Sequence, residues 1–208
     1  MDHVAEVASS FDERASQYDD SEMHHGVAQA VAEFVSLAGV NNVLDIATGT
    51  GLVLRELTKR QAGLHCAGVD ISPGMLAVAR RHLPDALLLQ GAADCLPLAD
   101  AAFDLVTIVT AMHLMSEPRS VFSEAARVLT TDGRLVLATF QLPPGRAPAQ
   151  RPYRTNHRDF ETPELIAAVA GPAGFQVIRS QLGQHGGDLC LLTELSLSAV
   201  HTFQGRPR

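Results

Sequence analysis

Short apolar runs alternate with amphipathic segments along most of the chain. Val43-Leu44-Asp45-Ile46, Leu105-Val106-Thr107-Ile108-Val109 and Leu135-Val136-Leu137-Ala138 are strand-length and nearly continuous, the pattern of central parallel strands. Periodicity predicts helices near 26–38, 51–60, 73–82, 119–129 and 162–170, and strands at 42–47, 65–70, 86–90, 104–110, 134–140, 175–182 and 188–197. Repeating β and α segments favour a doubly wound α/β fold, a parallel sheet with helices on both faces. The final two strands are joined by Gly183-Gln184-His185-Gly186-Gly187, too short for a crossover helix, so they are expected to be antiparallel.

A chain of 208 residues suffices for one well-buried domain and is short for two. The divisions within it are expected to be a helical cap over 1–40, a core over 41–140, a loop over 141–161, and a helix with two strands over 162–208. The formal charge of −7 and the pI near 5.7 disfavour a surface that tracks phosphates. Eight Phe, two Tyr and no Trp leave few platforms for stacking bases, so nucleic acid is not the expected partner. Cys66, Cys95 and Cys190 are odd in number and lack Cys-x-x-Cys spacing, which fits small buried apolar residues in a reducing compartment. The start, Met1-Asp2-His3 followed by Glu6, Asp12 and Glu13, has neither a basic nor an apolar leader region. No apolar stretch is long enough for a membrane span. A cytoplasmic protein, monomeric or homodimeric, is expected.

The chemistry starts at Asp45-Ile46-Ala47-Thr48-Gly49-Thr50-Gly51, where a buried strand meets an acidic residue and then a glycine loop that opens a helix. Glycines let a ligand approach the backbone, and the helix start offers unpaired N–H groups. A second strand, His65 to Asp70, ends in a carboxylate placed to meet ribose hydroxyls, so the pair describes an adenosine site. A nicotinamide loop would carry a third glycine where this chain has Leu54, and Asp45 would face an anionic pyrophosphate. A cofactor with a cationic end suits Asp45 better, and S-adenosylmethionine carries an ammonium and a sulfonium there.

The chain resembles the class I S-adenosylmethionine-dependent methyltransferases, whose first motif reads [D/E]-x-G-x-G-x-G. Ala47 stands at the first glycine. Val69-Asp70-Ile71-Ser72-Pro73-Gly74-Met75 is similar to the ribose-binding strand end and capped helix that follow, with Ser72 as N-cap and Pro73 at the first helical position. Gln90 to Asp100 resembles the family's adenine turn with Ala92 at its usual Asp, and Arg127 to Gly133 resembles the turn before the fifth strand. Phe11-Asp12-Glu13-Arg14-Ala15-Ser16-Gln17-Tyr18-Asp19 is similar to the family's N-terminal helix. The resemblance implies a Rossmann-like sheet of seven strands, mostly parallel, with an antiparallel last strand. It also implies a cofactor site of Tyr18, Asp45, Ala47, Thr48, Gly49, Gly51, Asp70, Ile71, Met75, Ala92, Ala93, Asp94 and Thr110, with Ile71 and Met75 flanking the adenine and Asp94 facing its exocyclic amine. The expected activity is methyl transfer to O or N of a small molecule, with S-adenosylhomocysteine as product. The alternative is a non-catalytic module on the same fold.

Methyl transfer mainly needs alignment of the nucleophile and, for some acceptors, removal of its proton. The run after the fourth strand, Thr110-Ala111-Met112-His113, has no acid of the kind used by metal-assisted enzymes, so metal-independent transfer is expected. His113 is the first candidate base, because an ordinary imidazole titrates at about 6.5, and His157 is the second. His24 and His25 read as helix-start residues, since neighbours on a helix do not share a face. Gln141 to Phe160 is rich in Pro and basic residues, and Arg146, Arg151, Arg154 and Arg158 form a candidate lid for an anionic acceptor.

Overall fold

A computed structural model describes residues 3–141, 151–185 and 188–198. Two helices lead into the sheet: α1 (His3–Arg14) and α2 (Glu22–Phe34), separated by a 3-10 turn over Ala15–Asp20. The core then alternates as β1 (Asn42–Ile46), α3 (Leu52–Arg60), β2 (His65–Asp70), α4 (Pro73–His82), β3 (Leu87–Gln90) and β4 (Phe103–Val109). It continues with α5 (Pro118–Val128), β5 (Leu129–Gln141), α6 (Pro163–Ala170), β6 (Phe175–His185) and β7 (Asp188–Leu197).

The seven strands lie in the order β3-β2-β1-β4-β5-β7-β6. The first five are parallel, and β7 runs antiparallel to both β5 and β6, which it separates. The order reverses direction at β1 and β4, so the crevice beyond their carboxyl ends is where a fold of this kind opens to ligands.

Alternating side chains explain why the central strands read as continuous apolar runs. Leu44, Ile46, Val106, Ile108, Leu135 and Leu137 pack on one face with α5 and α6. Val43, Leu105, Val136 and Ala138 pack on the other with α2 and α3. Leu54, where a dinucleotide loop would place glycine, is fully buried in this second layer.

Expected boundaries differ at both ends of α2, which stops at Phe34 rather than 38, at the start of β5, and at the end of β6, which runs to His185 rather than 182. α2 begins four residues before 26, because Ser21 caps it by accepting from His24 N at 3.4 Å, and Gly26 sits inside the helix. β5 extends back to Leu129 through Thr130-Thr131-Asp132-Gly133, and the pairing with β4 jumps from Phe103↔Leu129 to Leu105↔Arg134 across it. The N-terminal motif is split between the end of α1 and the 3-10 turn. Cys190 is buried as expected, whereas Cys66 is half-buried and Cys95 is exposed on the turn before β4. Among the described residues, no helix is long and apolar enough to cross a membrane.

Candidate active site

The site is assembled at the carboxyl ends of β1, β2 and β4. β1 delivers Ala47, which takes a left-handed φ of 57°, and Gly49 and Gly51 follow at 56° and 81°. The alanine therefore keeps the backbone angle of the glycine it replaces, at a strain of about 1–2 kcal/mol. Thr110, just past β4, stands at φ 52° and donates its backbone N–H to Ala138 O at 2.7 Å. A β-branched residue in this region is an outlier, and such strain concentrates at functional sites.

The two loop glycines serve different needs. A Cβ on Gly49 would meet no protein atom within 4 Å, so the position faces open space in the cleft. A Cβ on Gly51 would lie 2.6 Å from Leu83 Cδ1, and Gly51 lines neither cleft described below; its place is against the end of α4.

Asp70 ties the two loops together. Its Oδ2 accepts from Gly49 N at 2.8 Å and its Oδ1 from Ser72 N at 2.8 Å. Ser72 caps α4 by accepting from Met75 N at 3.0 Å and donates its hydroxyl to Asp12 Oδ1 at 2.5 Å. Asp12 also accepts from Gly74 N, so α1 is fastened to the second loop. Asp19 fastens the 3-10 turn to the first loop, accepting from Thr50 Oγ1 and Arg55 Nη1, each at 2.5 Å.

A cleft of about 840 Å³ lies under α1, lined by Tyr18, Ala47, Gly49, Asp70, Ile71, Ala92, Ala93, Asp94 and Thr110 together with Val7, Phe11, Leu114 and Met115. A smaller one beside it, about 400 Å³, has Asp45, Thr48, Thr50 and His24 in its wall and shares Tyr18, Ala47, Gly49 and Thr110 with the first. Asp45 is deeply buried, and Thr107 Oγ1 donates to it at 2.6 Å. Burial pushes its carboxyl up to about 7, and the neighbouring Asp70 adds to the rise. Burial likewise raises Asp70, against the two backbone N–H groups it accepts. Tyr18 is pushed up to about 12 by burial, bonds to Thr110 through its hydroxyl, and stacks on His24 with ring centroids 4.1 Å apart.

These residues fit a ligand with a nucleoside at one end and a cationic amino acid at the other. Gly49 opens the floor where the two clefts meet, Asp70 borders the larger and Asp45 the smaller. The nominated cofactor residues come together here except Gly51 and Met75, the latter on the buried face of α4 and absent from both linings. The apolar wall supplied by α1, Val7 and Phe11, was not foreseen, although its spacing on one helix face was there to be read.

His113 and His157 stack with centroids 4.3 Å apart, and Asn156 N donates to His113 O at 2.7 Å. Burial, then the adjoining His157 and Arg151, push His113 down to about 3. Burial also lowers His157, whose Nδ1 is buried without a hydrogen-bond partner. Both rings are therefore neutral, and the expectation that His113 titrates as an ordinary imidazole is corrected. Arg151, Arg154 and Arg158 are exposed and line neither cleft; Arg146 lies outside the described residues. Among the described residues, no group of three or more His, Cys, Asp or Glu could hold a metal ion.

A family model described as a methyltransferase domain matches residues 44–137. The chain is 34% identical over 161 residues to a demethylmenaquinone methyltransferase of Renibacterium salmoninarum, covering 74% of this chain and 65% of that one. It is 32% identical over 183 residues to the protein of the same name from Beutenbergia cavernae, covering 85% and 75%. The alignment to the first of these thus spans just under two thirds of its length. Among solved structures, magnesium protoporphyrin IX methyltransferase from Synechocystis with bound S-adenosylmethionine superposes with a TM-score of 0.72 at 17% identity, over 95% of this chain and 98% of that one.

Proposed function

The chain belongs to the class I S-adenosylmethionine-dependent methyltransferases, and from that premise we propose that it moves a methyl group to an oxygen or nitrogen of a small acceptor without a metal ion. The observation that carries this reading is the pair of adjoining clefts, one walled by buried Asp45 and the other bordered by Asp70, with Gly49 at their junction. The cofactor supplies a sulfonium-activated methyl carbon, which an acceptor lone pair takes in line as the carbon–sulfur bond breaks to the thioether.

What the chain contributes is placement. Asp45 engages the ammonium, Asp70 the ribose hydroxyls, and Ile71 with Ala92, Ala93 and Asp94 the adenine. Asp70 can do so while holding Gly49 N and Ser72 N, because a carboxylate offers about four lone-pair sites. Strained Thr110 and its partner Tyr18 fix the wall where the two ends meet. With a pKa of about 3, His113 is too weak a base to carry a proton away from an alcohol or amine. In this reading the acceptor's proton leaves to solvent, and His113 and His157, outside both cleft linings, pack on each other. Arg151, Arg154 and Arg158, exposed and outside both cleft linings, would steer an anionic acceptor by their charge through solvent.

The test is a screen of small acceptors with isotopically labelled methyl donor, with and without EDTA, at low and high salt. Label should enter an O- or N-linked product equally with chelator, and KM for an anionic acceptor should rise with salt and on neutralising Arg151, Arg154 and Arg158. Turnover abolished by EDTA and restored by Mg²⁺, or KM indifferent to salt and to the arginines, contradicts the metal-free or the anionic part respectively.

A further inference from the structure

The segment 91–102 between β3 and β4 supplies Ala92, Ala93 and Asp94 to the wall of the larger cleft, yet it has no regular secondary structure. Its internal backbone bonds, Cys95 N to Ala92 O at 3.2 Å and Leu98 N to Leu96 O at 2.8 Å, only close small turns. What fixes the middle of the segment is the second half of α5.

Glu124 and Arg127 stand one helical turn apart there and form a two-pronged ion pair, Arg127 Nε donating to Glu124 Oε1 at 2.8 Å and Nη2 to Oε2 at 2.7 Å. The pair then takes both main-chain polar groups of Leu96. Leu96 N donates to Glu124 Oε2 at 2.7 Å, and Arg127 Nη2 donates to Leu96 O at 3.0 Å. Arg127 Nη1 reaches further along, to Leu98 O and to Asp100 Oδ1, each at 2.7 Å. The hydrogen bond from Arg127 holds the Glu124 carboxyl below the usual carboxylate range, so the pair stays ionised. Leu96 is buried in the first core layer two residues after Asp94. Glu124 and Arg127 line neither cleft, whereas Val121 of the same helix lines the larger one. One helix therefore borders the cleft and holds the turn that forms its opposite wall.

We propose that Glu124 and Arg127 are positioning residues that set the base specificity of the site: by gripping Leu96 and Leu98 they hold Asp94 where it accepts from the exocyclic amine of adenine. A base with a carbonyl in place of that amine would set oxygen against carboxylate, and a site built to accept a hydrogen bond discriminates against such an analogue only while the acceptor stays in place. The inference rests on S-adenosylmethionine being the cofactor and on residues 92–94 facing its adenine.

Calorimetry with S-adenosylhomocysteine and S-inosylhomocysteine, its deaminated analogue, tests it. Wild-type protein should prefer the adenine ligand by ~10–100-fold, the range for a hydrogen bond to a charged group. Arg127→Met, which keeps much of the stem and removes every bond to the turn, should weaken S-adenosylhomocysteine until that preference falls to within about threefold, with the inosine ligand nearly unchanged. Arg127→Lys, which keeps the charge and loses the fork, should show an intermediate preference, and it decides the matter if the Met variant does not fold. Equal weakening of both ligands, which leaves the preference intact, would make the pair purely structural and overturn the proposal, as would variants that bind both ligands like wild type. Wild-type protein without a preference would overturn the adenine assignment of the turn, and the proposal with it, before any variant is compared.

Discussion

Asp45 combines burial with an acidic group, and in the proposed reading the cofactor's ammonium resolves that conflict. A carboxyl held at about 7, against 3.8 for an ordinary Asp, is mostly protonated below neutrality and is forced to ionise in an apolar setting above it. The folded-state pKa is raised, so the stability Asp45 contributes is fully present below about 3.8 and is lost as pH rises through about 7. Asp70 shifts in the same direction. Replacing Asp45 with Asn keeps an acceptor for Thr107 and removes the charge. We expect Asp45→Asn to raise the stability of the ligand-free protein at pH 8 by on the order of 2–4 kcal/mol while weakening S-adenosylhomocysteine. Urea unfolding at pH 5 and pH 8 checks this, because the advantage of the variant should be less than about half as large at pH 5. The identity of Asp45 was legible from its place before the glycine loop. Its pKa was not, since that depends on depth and on Asp70 across the sheet. The same holds for His113, whose sequence position nominated it and whose lowered pKa comes first from burial and then from His157.

Among the elements, α4 and β2 were read to their boundaries because the signals are local: a Ser-Pro cap and a short apolar run ended by Asp70. The start of α2 was missed because Gly26 resembles a breaker, and the extension of β5 because Thr131-Asp132-Gly133 resembles a turn. The lining role of α1 depends on where its Val7 and Phe11 face, which tertiary contacts decide. The hydrogen bonds among those contacts are Asp12 to Ser72 and Gly74 and His3 to Leu114 O, which hold α1, and Asp19 to Thr50 and Arg55, which hold the 3-10 turn; Phe11 also packs on Tyr18 and Tyr153. Asp12→Ala should therefore cost about 1–2 kcal/mol through loss of the Ser72 and Gly74 bonds. Backbone hydrogen exchange should quicken over 3–14 and leave α2, whose buried face packs in the second core layer, unchanged. Uniform quickening across both helices would show that the fastening is not where the hydrogen bonds place it.

At the scale of the whole molecule, the order β3-β2-β1-β4-β5-β7-β6 puts the reversal of strand order between β1 and β4, and the residues assigned to the cofactor lie at or beyond the carboxyl ends of β1, β2, β3 and β4 or on the segments that cover them. The alternating pattern of apolar runs made this architecture legible, and the short link before β7 made its antiparallel direction legible. The sequence did not show that two clefts would share one floor, because Asp45, Asp70, Thr110 and Tyr18 meet only once four separate segments pack. The central claim is that the smaller cleft holds the cofactor's ammonium against an Asp45 that is protonated beforehand. Binding must then expel that proton. The direct measurement is calorimetry of S-adenosylhomocysteine binding at pH 6 and pH 8 in buffers of different ionisation enthalpy. With a carboxyl near 7, nearly one proton should be released per ligand at pH 6, the release should vanish by pH 8, and Asp45→Asn should abolish it at both. Binding at pH 6 without proton release, or a release that survives in the Asn variant, would contradict the account.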